Sequence, residues 1–298
     1  MKLKDLPIIT FKSVGREIGL DVRVDDGRLQ VKDLLPRPLW ARRLSSKSSF
    51  CRAVVQSGLL TQRQMVHAAL RYRLGRSKND AVIYWQIDQL GQVHDGKLMW
   101  YGPDCHRLKN RNTSWIMYLL KQHFGIPQDS FQSTHVFFGT HLLSERPTNG
   151  CDVPLRKHSA RGCNPSQDVF ERNNTAPRPR GLPPAPRTVA IVEAEKSAVI
   201  LSELYPQYIW LASGGMEEIQ VNKFMPLSHY KVILFPDTDP DGRAFNRWYN
   251  AAQAVMKSFF WPKNNPIRVS PFLELNASRD QKHRKIDLVD YYFESTKL

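Results

Sequence analysis

Long hydrophobic runs are missing from this chain: no stretch approaches the roughly eighteen consecutive apolar residues of a membrane-spanning helix. The opening residues MKLKDLPIITFKS also lack the apolar core of a secretion signal, so the expected location is the cytoplasm and no membrane partner is expected. Cysteine is scarce. Cys51, Cys105, Cys151 and Cys163 show no CxxC spacing, which in a reducing compartment speaks for free thiols rather than disulfides. Cys151, His158 and Cys163 could approach a zinc ion together, but a clear fourth ligand is lacking. A glycine-rich GxxxxGK[ST] loop is absent too, so no P-loop motor is fused to the chain.

What the sequence has in quantity is positive charge. The net charge of +15 is unevenly spread: from residue 187 onward 14 Lys and Arg face 13 Asp and Glu, which leaves +14 on residues 1–186. A basic front and a charge-balanced rear suit a partner that is itself a polyanion, such as nucleic acid. At 298 residues the chain can bury one large core or two modest ones.

The most informative stretch runs from Arg187 to Gly242. TVAIVEAEKSA reads as a short buried strand, Thr188 to Val192, with Glu193 and Glu195 at its exit. KVILFPDTDPDG reads as a second strand, Val232 to Phe235, running into Asp237, Asp239 and Asp241. Apolar runs followed by turn residues and then by helical patterns are βα units of a parallel sheet, and such sheets bind ligands outside the carboxyl ends of their strands. Carboxylates gathered there are hard oxygen ligands suited to Mg²⁺ or Mn²⁺. DTDPDG also opens like an EF-hand calcium loop. That motif needs an entering helix and a Glu at its twelfth position; here a strand enters and the twelfth residue is Trp248.

Strand, VEAEKSA, helix, SGG turn, strand, DTDPDG and helix together resemble the Toprim domain of bacterial-type primases, topoisomerases and related nucleases. The resemblance covers residues 187–293 and implies an α/β fold with a Rossmann-like parallel sheet flanked by helices, preceded here by a smaller basic α+β subdomain. It implies catalytic and metal-binding roles for Glu193, Asp237 and Asp239. Asp241 and Asp287 are added as metal ligands, with Asp290 nearby in KIDLVDYY. Gly242 matches the small residue that lets the next helix start close to the site, and Ser213, Gly214 and Gly215 match the small-residue turn between the acidic motifs. Ala194 stands where the family usually carries Gly.

Upstream, residues 1–50 offer two or three short strands and a proline-broken basic connector, and residues 50–75 read as helical with Thr61 as an N-cap. AVIYWQIDQLGQVHDGKLMWY reads as a hairpin of Ala81 to Ile87 and Lys97 to Tyr101, with turns around Gly91 and Gly96. Asp88, Gly91 and Val93 resemble the D-x-x-G-x-V centre that precedes Toprim in bacterial-type primases, and FFGTHLL, Phe137 to Leu143, resembles the aromatic-glycine segment placed just before it. Basic residues suited to phosphate are Arg71 and Arg73 at a helix end, Lys97, Arg107, Lys109 and Arg111, and, in the acidic half, Lys196 and Arg243 beside Gly214 and Gly215. Residues 145–186, rich in Pro, Asn, Ser, Gly and Arg, read as a flexible linker or an insertion between residues 1–144 and a Toprim domain at 187–298. After the DxD pair a helix is expected over Arg243 to Phe260, and a strand over Ile267 to Pro271 precedes a charged SRDQKHRK loop.

The function this implies is Mg²⁺- or Mn²⁺-dependent phosphoryl transfer on nucleic acid, foremost primer synthesis on single-stranded DNA by a nucleotidyltransferase of a mobile element. A helicase or another replication protein is the expected partner. The same carboxylates would equally serve a Toprim nuclease, and a non-catalytic DNA-binding accessory protein could keep the fold.

Overall fold

Val82–Ile87 is a run of β-branched and aromatic residues in which every side chain is buried, as expected of a strand covered on both faces. In the computed structural model, which describes Leu35 and residues 40–41, 43–125, 127, 135–144 and 187–295, this is strand β2 of an antiparallel sheet. Its neighbours are β1 (Gly75–Arg76), β3 (Val93–Met99) and β4 (Ser114–Trp115), in the order β1-β2-β3-β4. Alternation divides the strand between two cores. Val82 and Tyr84 join the larger one, whereas Ile83, Trp85 and Ile87 join a smaller one with Ile116 and Leu120.

Gly96 departs from the sequence expectation. It lies inside β3, opposite Trp85, because the indole occupies the space a side chain would need: a Cβ there would sit 2.7 Å from the ring. The hairpin reverses earlier, at residues 88–92, where Asp88 Oδ1 accepts hydrogen bonds from the backbone N–H groups of Leu90 and Gln92, both at 2.9 Å. That is the D-x-x-G turn, with the second strand beginning at Val93 rather than Lys97.

Accompanying this sheet among the described residues are helices α1 (Ser49–Gln56), α2 (Gln62–Arg71) and α3 (Ile116–His123). Thr61 caps α2 in a reciprocal capping box with Gln64, as its spacing predicts.

The second sheet is parallel, in the order β6-β5-β7-β8, from β5 (Thr188–Val192), β6 (Tyr208–Ala212), β7 (Lys231–Phe235) and β8 (Arg268–Val269). Helix α4 (Glu195–Leu204) follows β5, and α5 (Arg243–Met256) follows β7. Short helices α6 (Phe272–Asn276), α7 (Arg279–Arg284) and α8 (Leu288–Ser295) close the described chain. The chain is thus α/β, a parallel sheet with flanking helices preceded by an antiparallel subdomain. Trp210 and Trp248 are wholly buried in its core. Each contributes about 4–6 kcal/mol, taking ~25 cal/mol per Å² over ~150–250 Å².

Several local expectations shift for physical reasons. Met216–Glu218 and Val221–Leu227 form two 3₁₀ segments, with Pro226 inside the second. SRDQKHRK folds as α7 because Ser278 and Gln281 form a capping box. Helix α5 buries Ala244, Trp248, Ala252 and Val255. Tyr249 lies off that stripe and Phe259 beyond the helix end, and both are exposed.

The two sheets share the larger core and are stitched at the β6 edge. Phe138 of FFGTHLL exchanges backbone hydrogen bonds with Ala212, at 2.9 and 3.0 Å, and Tyr72 donates its hydroxyl to the Trp210 carbonyl at 2.8 Å. His141, pushed down to about 4 by burial, is neutral and meets the Arg71 carbonyl at 3.0 Å. Among the described residues no helix is long and apolar enough to cross a membrane, and Cys51 and Cys105 are free thiols. Cys151, His158 and Cys163 lie outside the described residues.

Candidate carboxylate site at the strand ends

Strands β5, β6 and β7 run parallel and in register, so Val192, Ala212 and Phe235 end at one level. The residues that follow them are therefore delivered to one edge. After β6 the chain turns through Ser213, Gly214 and Gly215. The Ser213 N–H donates to the Val192 carbonyl at 3.0 Å and the Gly214 N–H to the Glu193 carbonyl at 2.9 Å. Gly214 has φ +91, which glycine adopts without strain, and a Cβ there would press on the Glu195 carboxylate at 3.2 Å.

Glu193 and Asp237 are the half-buried carboxylates of this edge. Burial raises the Glu193 pKa; the Met216 backbone N–H and Lys97 partly offset this, while Asp287 and Glu195 add to it. Burial pushes Asp237 well above the ordinary carboxylate range, with the charges of Glu193 and Asp287 next in weight and Lys196 opposing them. Among the described residues no hydrogen bond or ion pair engages the Asp237 side chain.

The other acidic candidates are engaged elsewhere. Asp239 is turned into the start of α5: its Oδ1 accepts from the N–H groups of Asp241 and Arg243, and its Oδ2 from that of Ala244, at 2.8–3.1 Å. These bonds hold its pKa below the usual range against the cost of burial. Asp241 is exposed and pairs with Arg243 at 2.6 Å, so both stand at the surface in one ion pair. Asp287 is buried, ion-paired to Lys196 at 2.7 Å and hydrogen-bonded by the Ser197 hydroxyl at 2.6 Å. Lys196 also lies 3.5 Å from Asp290.

Lys97, expected to grip phosphate, is instead held inside the protein. Its ammonium reaches both Glu195 oxygens, at 2.9 and 3.1 Å, and the Gly214 carbonyl at 2.8 Å. Three acceptors take up its three donors. This pair ties β3 of the antiparallel sheet to the start of α4, and Glu195 is the residue whose part the sequence reading missed. Its signal was the alternating EAEK, which puts a second carboxylate one helical step inside the site.

Around this edge Glu193, Glu195, Asp237, Asp287 and Asp290 feel one another's charge, with Lys97 and Lys196 as the cations among them. Fully ionised, five carboxylates against two ammonium groups leave an excess of three negative charges. The protein relieves it by holding protons on Glu193 and Asp237 to higher pH; a divalent cation would relieve it equally. No group of three or more His, Cys, Asp or Glu among the described residues is arranged to cage a metal alone. Mg²⁺ needs only one or two carboxylates when water and phosphate complete its shell, and Glu193 with Asp237 is a donor set of that kind.

Next to the acidic edge is the loop after β3. Tyr101 senses Glu195 and Lys196, Cys105 is pushed up to about 12 by burial with Asp287 and Asp290 adding to it, and His106 acts on Asp290. Arg107, Lys109 and Arg111 of the same loop are exposed, with Arg111 lying over the Trp100 ring. Arg71 and Arg73 lie elsewhere, half-buried at the end of α2, where Arg73 covers Trp40.

Compared with known families, residues 48–154 and 182–238, more than half of the chain, match the family described as Domain of unknown function (DUF6371). The chain belongs to that family. The match to DUF6371 takes in Glu193, Glu195 and Asp237 and ends one residue before Asp239. No curated protein matches the sequence. Among solved structures, the primase fragment of the bacteriophage T7 primase-helicase protein is similar, with a TM-score of 0.44 and 13% identity over 92% of this chain and 80% of that one.

Proposed function

We propose that this protein carries out divalent-metal-dependent phosphoryl transfer on nucleic acid, foremost primase-like joining of nucleotides on single-stranded DNA. The observation that carries the reading is the edge itself: Glu193 and Asp237, both raised first by burial and then by neighbouring carboxylates, Asp287 among them, beside a loop exposing Arg107, Lys109 and Arg111. An acidic centre beside a basic loop can hold a metal and the phosphates it acts on.

Glu193 and Asp237 would hold Mg²⁺ or Mn²⁺. Bound there, the ion would lower the pKa of an attacking hydroxyl and offset charge on the phosphate. Asp239 aims the chain around Asp237 by anchoring α5, and Lys196 pairs with Asp287 behind the site, 3.5 Å from Asp290. Glu195 and Lys97 set the position of the Gly214 turn, whose neighbour Met216 donates to Glu193. In this reading residues 1–144 form the nucleic-acid-binding subdomain and 187–298 the Toprim domain, with 145–186 joining them, and a helicase or other replication protein brings the enzyme to its template.

The test is incubation of the purified protein with single-stranded DNA, labelled nucleotides and Mg²⁺ or Mn²⁺, beside the Glu193→Gln and Asp237→Asn variants. Short products that vanish in both variants support primer synthesis. Metal-dependent shortening of the DNA would move the assignment to a nuclease, and binding without either reaction would leave a DNA-binding accessory protein.

A further inference from the structure

A second basic site lies away from the carboxylates, where α1, α2 and β1 meet. A cavity of about 280 Å³ is lined there by Ser46, Lys47, Cys51, Arg52, Gln62 and Arg76. Three of the six are cations, and the acid closest to them is Asp80. Arg52 meets both Asp80 oxygens, and Arg76 Nε donates to Asp80 Oδ1 at 2.7 Å. Arg52 also donates to the Lys47 carbonyl at 2.8 Å. Asp80 itself sits at φ +67, a left-handed conformation that Asp tolerates, with its backbone carbonyl accepting the Ser49 N–H at 3.1 Å.

One carboxylate thus fixes two guanidinium groups side by side without neutralising them. Lys47, Arg52 and Arg76 against Asp80 leave two positive charges facing the cavity. The terminal nitrogens of Arg76, the Lys47 ammonium and the Gln62 amide have no acceptor among the described residues. Preorganised guanidinium forks and an ammonium around an open polar pocket match the tetrahedral oxygens of phosphate. Half-exposed side chains suit a group that enters from solvent.

We infer that this pocket binds a phosphate group, and that on a nucleic-acid strand it holds one backbone phosphate apart from the reacting one. The inference rests on the reading of the protein as a nucleic-acid enzyme for its strand ligand, but not for the phosphate chemistry.

The experiment measures binding of a fluorescent oligothymidylate, of ATP and of inorganic phosphate to the full chain over a range of salt concentrations. Lys47→Gln and Arg76→Gln are compared with Lys257→Gln, an exposed control at the C-terminal end of α5. Each pocket variant is expected to weaken strand binding about threefold to tenfold and to reduce the salt slope by about one, with the control unchanged. Lys47 has no side-chain partner, so Lys47→Gln carries the test if Arg76→Gln lowers the melting temperature. An effect on ATP and phosphate but not on the strand would assign the pocket to free nucleotides. Binding of all three probes equal to the control, or no binding of any, overturns the inference. Repeating the titration in Asp237→Asn separates the two readings: the pocket effect persists there even if no transfer reaction exists.

Discussion

Lys97→Met removes one half of the buried ion pair that joins the two sheets. The side chains of Lys97 and Glu195 are only 10% and 3% exposed, so water cannot replace the lost partner. The variant leaves Glu195 buried without its cation and the Gly214 carbonyl without its donor. Breaking a buried pair from one side costs about 3–5 kcal/mol, a large share of a total stability of roughly 5–15 kcal/mol. Glu195→Gln strands the ammonium and falls in the same range. The double variant should cost only about 1–2 kcal/mol, because both charges are gone and mainly the Gly214 carbonyl remains unpaired. The two substitutions should therefore couple by at least about 4 kcal/mol, the two single losses less that of the double variant. Urea denaturation at neutral pH, at low and high salt, measures this, and the coupling should resist salt because the pair is buried. Singles that each cost under about 1 kcal/mol and simply add would refute the argument and free Lys97 for phosphate.

Four further outcomes follow from the structure. Asp237→Asn should stabilise the metal-free protein at pH 7 by about 1–3 kcal/mol. A carboxyl whose folded pKa is raised destabilises the fold increasingly as pH climbs past its unfolded value near 3.8, so the gain should disappear below that pH; thermal melts against pH would show it. Added Mn²⁺ should raise the melting temperature of the wild type but not of Asp237→Asn, with about 2.7 kcal/mol expected at a hundredfold excess over Kd. Asp239→Ala should lose about 1–2 kcal/mol by uncapping α5, and Asp239→Asn, which keeps one acceptor, about half of that; equal losses in the two would argue against the capping role. Gly96→Ala should destabilise by at least about 1–3 kcal/mol through its clash with Trp85, and a melting temperature unchanged from wild type would contradict the close packing.

The βα units around Glu193 and Asp237 were legible because each is a local pattern: an apolar run of strand length, a turn, a helix, with an acid at the strand exit. Sequence order alone also brought FFGTHLL ahead of that unit and put the positive charge in front. What charge and spacing could not reveal was which acids face one another and which are already used. Asp237 and Asp239 are two residues apart, yet one carboxylate meets other acids and the other is consumed by the N–H groups of α5. Lys97 and Glu195 are 98 residues apart, and no local pattern announces that they neutralise each other. Hydrogen bonds and ion pairs between distant segments depend on how the two sheets pack, and only the folded chain decides that. The sequence by itself determined the elements and the kind of chemistry at their ends; the tertiary structure decided which charges remain available to do it.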